Sequence, residues 1–97
     1  MISENVLNEL KTKSPKQIGA LLVNSVIIPE SAEDVDIITD IIYRKDITQM
    51  KNGDLDEFEE MTLIKQMHMT KMCMRIPIGL PVDSQWEDPL WDKMMNE

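Results

Sequence analysis

The stretch that decides the fold lies past the middle of the chain, where residues 61–74 read MTLIKQMHMTKMCM. On a helical wheel its apolar positions cover one side in the first half, and from Ile64 onward they extend nearly all round. A helix that is apolar on every side lies inside a core or is contacted from several directions. The segment therefore predicts a central helix. Because methionine adapts to irregular surfaces, Met67, Met69 and Met72 are candidate contacts for a partner.

Helix-start signals precede this segment. Ser3 and Ser31 each stand where a side chain can cap a helix. Ser14 is followed by Pro15 at the first helical position and Gln17 at the third, which is the pattern of a capping box. These signals predict three helices before residue 52.

The remaining helices follow from periodicity and turn residues. An apolar stripe after Ser31 has helical spacing and is expected to continue to a stop at Asn52–Gly53. The longest helix then starts near Asp54 and reaches about Arg75. Residues 23–28 and 37–43 would also suit strands, but no hairpin signal links them. We therefore predict an all-α fold, with a small bundle of about four helices over residues 1–75.

The pattern changes at residue 76. Apolar residues there alternate with Pro77, Gly79 and Pro81, which predicts an extended, proline-containing arm. Asp88–Pro89 then begins a short C-terminal helix, so that residues 76–97 form an arm and an acidic-aromatic tail. This tail either completes the chain's own core or docks in a groove of another protein. Because Trp is enriched at interface hot spots, the candidate partner-binding residues of the tail are Trp86, Leu90, Trp91 and Met94.

Charge is distributed unevenly along the chain. Its 97 residues include 10 basic and 18 acidic side chains, for a net charge of −8, which disfavours direct nucleic-acid binding. The acidic residues are concentrated between residues 29 and 60. Some of them suit the first turns of helices, while together they could form an anionic surface that docks on a basic partner. The candidate residues of this acidic surface are Asp36, Asp40, Asp56, Glu57, Glu59 and Glu60.

No constellation typical of catalysis is present in the sequence. Its one histidine, His68, is five residues before its one cysteine, Cys73, so on a helix the two side chains do not face each other. No phosphate-binding loop, nucleophile elbow or zinc motif occurs. Thiol, thioether and imidazole groups do select Cu(I), but the pairs Met69–Cys73 and His68–Met72 point in different directions. We predict neither an enzyme nor a bound metal or cofactor.

The expected compartment is the reducing cytoplasm. The first residues lack the basic and apolar blocks of a secretory signal, and one cysteine cannot form an internal disulfide. The longest apolar stretch, residues 18–28, is shorter than the ~20 residues that cross a bilayer. We therefore expect no membrane partner.

The leading hypothesis is a small acidic protein that acts by binding another protein, as an inhibitor, adaptor or regulator. Its partner would present a basic or apolar groove. The sequence is also compatible with self-association into a homo-oligomer. Such size and charge are typical of accessory proteins encoded by viruses and mobile elements, although no motif supports that association. One alternative is a structural subunit that uses its C-terminal arm in a larger assembly. Another is a nucleic-acid mimic that docks on a basic partner.

Overall fold

The computed structural model describes residues 2–96. Residue 1, at the start of the predicted helical segment 1–75, and residue 97, at the end of the predicted segment 76–97, lie outside this range. Every regular element in the described range is helical, and the predicted all-α class is confirmed. None of its helices is both long and apolar enough to span a membrane. The α-helices are α1 (Glu4–Leu10), α2 (Pro15–Val23), α3 (Ala32–Ile42), α4 (Arg44–Lys51), α5 (Glu57–Arg75) and α6 (Pro89–Asn96).

Side-chain caps begin four of these helices. Ser3, Ser14 and Ser31 each accept a hydrogen bond from a backbone N–H in the following turn, as predicted. Asp56 accepts from the backbone N–H of Glu59 at 2.7 Å, and the Glu59 side chain accepts from the Asp56 N–H at 3.2 Å. Two residues of the predicted acidic surface therefore form the capping box that begins α5.

The core lies along one side of α5. This helix packs against α3, against α6 and against the 3-10 turn that follows it. Two apolar residues of α5, Leu63 and Met67, are buried, with 4% and 2% of their surface exposed. The main core cluster draws on α1, α2, α3 and α5 and contains Leu10, Ile18, Val35, Ile38, Ile41 and Met74.

The predicted helix from Ser31 to Asn52 is divided at Tyr43 into α3 and α4. The backbone of Tyr43 leaves helical geometry, with φ −101° and ψ 18°. Its hydroxyl is 2.7 Å from the Thr70 hydroxyl of α5, and Arg44 donates hydrogen bonds of 2.8 Å to the carbonyls of Ile41 and Lys13. The bonds to Thr70 and Lys13 join elements distant in sequence, so periodicity within the segment does not reveal the break.

The predicted extended arm begins instead with a 3-10 turn, Ile76–Ile78, that continues α5. Pro77 fits there because the first turn of a helix does not need its missing N–H. Gly79 then adopts a left-handed conformation with φ 76°, and the N–H of Leu80 bonds to the carbonyl of Arg75 at 3.0 Å. Ile78 and Leu80 pack against the core cluster, so this segment covers the chain's own helices.

Candidate functional site

The C-terminal tail folds back on α5, and His68 lies at the centre of the contact. Its imidazole is stacked between the indoles of Trp86 and Trp91, with ring centroids 4.5 Å and 4.2 Å away. Nδ1 of His68 is 2.9 Å from Oδ2 of Asp88, whose residue surface is 4% exposed. Three tail residues thus enclose one side chain of α5. We call His68, Trp86, Asp88 and Trp91 the tail clamp.

Two buried basic side chains of α5 reinforce the tail clamp. Nζ of Lys71 is 3.6 Å from Oδ1 of Asp88, an oxygen that accepts no hydrogen bond within the described residues. The guanidinium of Arg75 lies 4.5 Å from the centre of the Trp86 ring, and its Nε donates to the Pro81 carbonyl at 2.9 Å. Because buried charges need compensating partners, the tail supplies a carboxylate, a π face and a carbonyl to α5.

The tail residues predicted to bind a partner are half-buried in this arrangement. Trp86 and Trp91 stack on His68, while Leu90 and Met94 line a cavity of about 570 Å³ between α6, α4 and the start of α5. The apolar stripe of α6 is therefore directed toward the chain's own helices.

The three methionines predicted as partner contacts occupy different environments. Met67 is buried, Met72 is half-buried, and Met69 is exposed over 64% of its surface. Met69 belongs to the side of α5 that the tail leaves uncovered. A partner that contacted Met67 would first have to displace the chain's own packing.

The predicted acidic surface is divided among several structural roles. Beyond the capping pair Asp56 and Glu59, Asp36 lies 3.7 Å from Nζ of Lys71. Partial burial raises the pKa of Asp40, with Asp36 adding to the effect and Lys71 opposing it. The other two members are Glu57, which is exposed, and Glu60, which is half-buried.

An apolar groove opens on the other side of α5, between that helix and α2. Its volume is about 530 Å³, and none of its lining residues carries a charge. On the α5 side it is lined by Thr70, Cys73, Met74, Pro77 and Ile78. The other wall consists of Pro15, Gly19, Leu22, Val23, Ser25, Ile27, Ile28, Pro29 and Ile42. We call this hollow the α2–α5 groove.

The loop after α2, residues 24–30, forms a ridge along this groove. The helix ends at Val23, and Ser25 adopts a left-handed conformation with φ 56°, a position that usually holds glycine. The N–H of Val26 bonds back to the Leu21 carbonyl at 2.9 Å. This turn leaves Val23, Val26 and Ile28 exposed over 84%, 68% and 59% of their surfaces.

The ridge is anchored by Asp34 at the start of α3. Its buried carboxylate accepts a hydrogen bond from the backbone N–H of Glu30 at 3.1 Å and from that of Ile2 at 3.3 Å. Burial alone would raise the pKa of Asp34, but these hydrogen bonds hold it below the ordinary value of an aspartate. The ionised carboxylate therefore stabilises the position of the ridge.

The sequence did not indicate the α2–α5 groove. The spacing of Ile18, Leu21, Leu22 and Val26 favours a helix that continues to Val26, whereas α2 ends at Val23 and Val26 is exposed. The available signal was the polar pair at positions 24 and 25 within the apolar run. Asn and Ser favour turns over helix interiors because their side chains compete for backbone hydrogen bonds.

Neither a metal centre nor a known family accounts for these surfaces. Over residues 2–96, no group of three or more His, Cys, Asp or Glu side chains is arranged to hold a metal ion. No protein-family model matches the chain, and neither a curated protein nor a solved structure is significantly similar to it.

Proposed function

We propose that this protein acts by binding another protein, and that the α2–α5 groove is its main contact surface. The observation that supports this is the exposure of Val23 and Ile28, which line an uncharged groove of about 530 Å³. Contiguous apolar surface bordering a concave site is typical of interaction sites. A role as an inhibitor, adaptor or regulator requires no catalytic group, and the sequence contains no catalytic motif.

The tail has a different part in this proposal. Trp86 and Trp91 contact His68 of the same chain, so they stabilise the fold that presents the groove. The structural-subunit hypothesis depends on a free C-terminal arm, and the docked tail weighs against it. The mimic hypothesis depends on a continuous anionic face, and the internal partners of Asp36, Asp56 and Glu59 weigh against it.

Affinity capture from an extract of the source cells tests this function. Wild-type chain is compared with the double variant Val23→Asp/Ile28→Asp, which changes two exposed groove residues. Phe58→Asp is the matched control, because Phe58 is 78% exposed but lies in the first turn of α5, outside the groove. We expect a partner retained by wild type and by the control and lost by the double variant.

Circular dichroism of each variant verifies that its helices are intact. The proposal is wrong if the folded double variant retains every partner of wild type. It is also wrong if Phe58→Asp loses the same partners to the same extent, since the effect would then come from added charge rather than from the groove.

A further inference from the structure

The α2–α5 groove lies between two exposed borders, and both borders are apolar. One is formed by the end of α2 and the ridge, where Val23 and Ile28 are exposed. The other is the exposed side of α5 and of the 3-10 turn that continues it. Met69, Cys73 and Ile76 lie along that side at positions i, i+4 and i+7, and Met69 and Ile76 are exposed over 64% and 59% of their surfaces. One face of the molecule therefore contains both apolar projections and an apolar recess.

The walls of this groove contain no charged residue. Residues 17–29, which form most of α2 and of the ridge, and residues 76–82 are uncharged in sequence. Lys71 and Arg75 of α5 lie under the tail, on the other side of that helix. Glu30, at the end of the ridge, lines a separate cavity next to α1. In a chain of net charge −8, the groove is thus a place where two acidic molecules can touch without opposing like charges at the contact.

A contact between two identical chains has requirements that this face meets. In a two-fold interface the same patch meets itself, so an apolar projection and an apolar recess must lie side by side on one face. The ridge and the groove are adjacent in this way. Any charge close to the two-fold axis would face its own copy, which repels it. A different protein can complement a charged wall with the opposite charge, whereas a second copy cannot do so at the axis, so an uncharged wall favours a second copy.

The apolar area of this face is of the size that a dimer needs. An interface of standard size buries about 800 Å² per partner, of which about 450 Å² is apolar. A full aliphatic side chain supplies roughly 100 Å² of apolar surface, so Val23, Ile28, Met69 and Ile76 together present on the order of 250 Å². These four side chains provide about half of the required area before the walls of the groove are counted.

From these observations we infer that a second copy of this chain occupies the α2–α5 groove, in a two-fold dimer in which the ridge of each copy packs into the groove of the other. The inference goes beyond the proposed function, because it gives the same face a second role, and self-association then competes with the binding of another protein. Burial of aliphatic side chains supplies the affinity, while the net charge of −8 on each copy opposes encounter.

Sedimentation equilibrium of the purified full-length chain tests the inference. We expect the mass to rise toward twice that of one chain as the protein concentration is raised. The repulsion between two acidic copies is screened when salt is raised from about 0.01 M to about 0.1 M, because the Debye length falls from about 30 Å to about 10 Å. We therefore expect the dissociation constant to fall at least about threefold over this range. Association that weakens with salt would indicate a contact between opposite charges and would overturn the inference.

The thiol of Cys73 reports which face is covered in the dimer. It is exposed in the single chain and lines the groove, on the side of α5 away from the tail clamp. We expect its initial rate of reaction with a maleimide to fall in proportion to the fraction of monomer as concentration is raised. A dimer formed by exchange of tails, or through any other face, leaves this rate unchanged and contradicts the inference.

A pair of variants locates the contact. Val23→Ser/Ile28→Ser removes apolar groove contacts without changing the charge, and we expect it to raise the dissociation constant of the dimer at least about tenfold. Phe58→Ser is the matched control, because Phe58 is also an exposed apolar side chain but lies in the first turn of α5, outside the groove. We expect the control to dimerise as wild type does. Circular dichroism verifies that both variants are folded.

The possible failures separate this inference from the proposed function. A chain that stays monomeric up to about 1 mM, where even a weak contact is half formed, overturns the inference. Equal loss of dimer in the control and in the groove variant overturns it as well. Neither result affects the proposed function, which depends on capture of a different protein. If the dimer forms as expected but capture returns only further copies of this chain, the proposed function fails and the inference stands.

Discussion

The two sides of α5 differ in whether their apolar surface is covered by the rest of the chain. Each side presents apolar surface that this chain of 97 residues either buries against its own side chains or leaves exposed. On one side the tail clamp covers it, with His68 between two indoles and Asp88 between two basic side chains. On the other side the α2–α5 groove is uncharged and open, and the neighbouring Val23 and Ile28 are exposed.

This difference shows that residue type alone does not indicate which apolar side chains the chain covers with its own residues. Tryptophans are enriched at hot spots, yet Trp86 and Trp91 contact the chain's own histidine. The open surface is built instead from aliphatic residues. Each side also depends on one buried aspartate: Asp88 holds the tail to α5, and Asp34 holds the ridge that borders the groove.

The largest effect is expected on the tail side, from Asp88→Ala. The substitution removes the carboxylate from between His68 and Lys71 and leaves the buried Lys71 with only the exposed Asp36 as an acidic partner. We expect the free energy of unfolding to fall by about 3 kcal/mol, with greater solvent exposure of the indoles. Urea unfolding followed by circular dichroism and tryptophan fluorescence measures both. Asp92→Ala, an exposed site on α6, is the control, and an equal loss there would contradict a specific role for Asp88.

A smaller effect is expected on the groove side, from Asp34→Ala. Two backbone N–H groups lose their acceptor, and we expect the free energy of unfolding to fall by about 2 kcal/mol at neutral pH. Increased amide hydrogen exchange at residues 24–30 would show that the ridge has loosened.

The same variant has a predicted pH dependence. Because the pKa of Asp34 is lowered in the folded state, its stabilisation is complete above the unfolded-state pKa of about 4 and is lost as the pH falls through the folded-state value. Asp34→Ala should therefore lose less stability on acidification than wild type. Asp40→Asn should lose more, since the raised pKa of Asp40 acts in the opposite direction. Unfolding curves at neutral and acid pH that are parallel for all three proteins would contradict this assignment.

The smallest effect is expected at the turn that forms the ridge, from Ser25→Gly. Glycine adopts the left-handed backbone at this position without the strain that serine carries, although it loses more entropy on folding. We expect a net gain of less than about 1 kcal/mol in the free energy of unfolding, measured by thermal or urea unfolding. Ser84→Gly, at an exposed tail position without positive φ, is the control. A loss at Ser25 as large as that at Ser84 would show that no strain is relieved.

Local signals in the sequence predicted much of the fold. The serine caps, the capping box at Ser14 and the extent of α5 are confirmed, because each depends on residues three or four positions apart. The break at Tyr43 was not predictable in this way, since it coincides with hydrogen bonds to Thr70 and Lys13. The 3-10 turn at Ile76 was missed because alternating prolines are equally compatible with extended chain and with the first turn of a helix.

Composition, caps and periodicity by themselves determined that this protein is helical, acidic and built around the methionine-rich helix α5, because these properties follow from short-range geometry and from counting charges. Only the tertiary structure decided which side of that helix is covered. The choice depends on contacts such as His68 with Trp86 and Asp34 with Ile2. Each of these contacts joins parts of the chain that are distant in sequence. The sequence pattern does not specify which of the two apolar sides of α5 the tail packs against. Because the tail packs against the side that carries His68, the α2–α5 groove stays open.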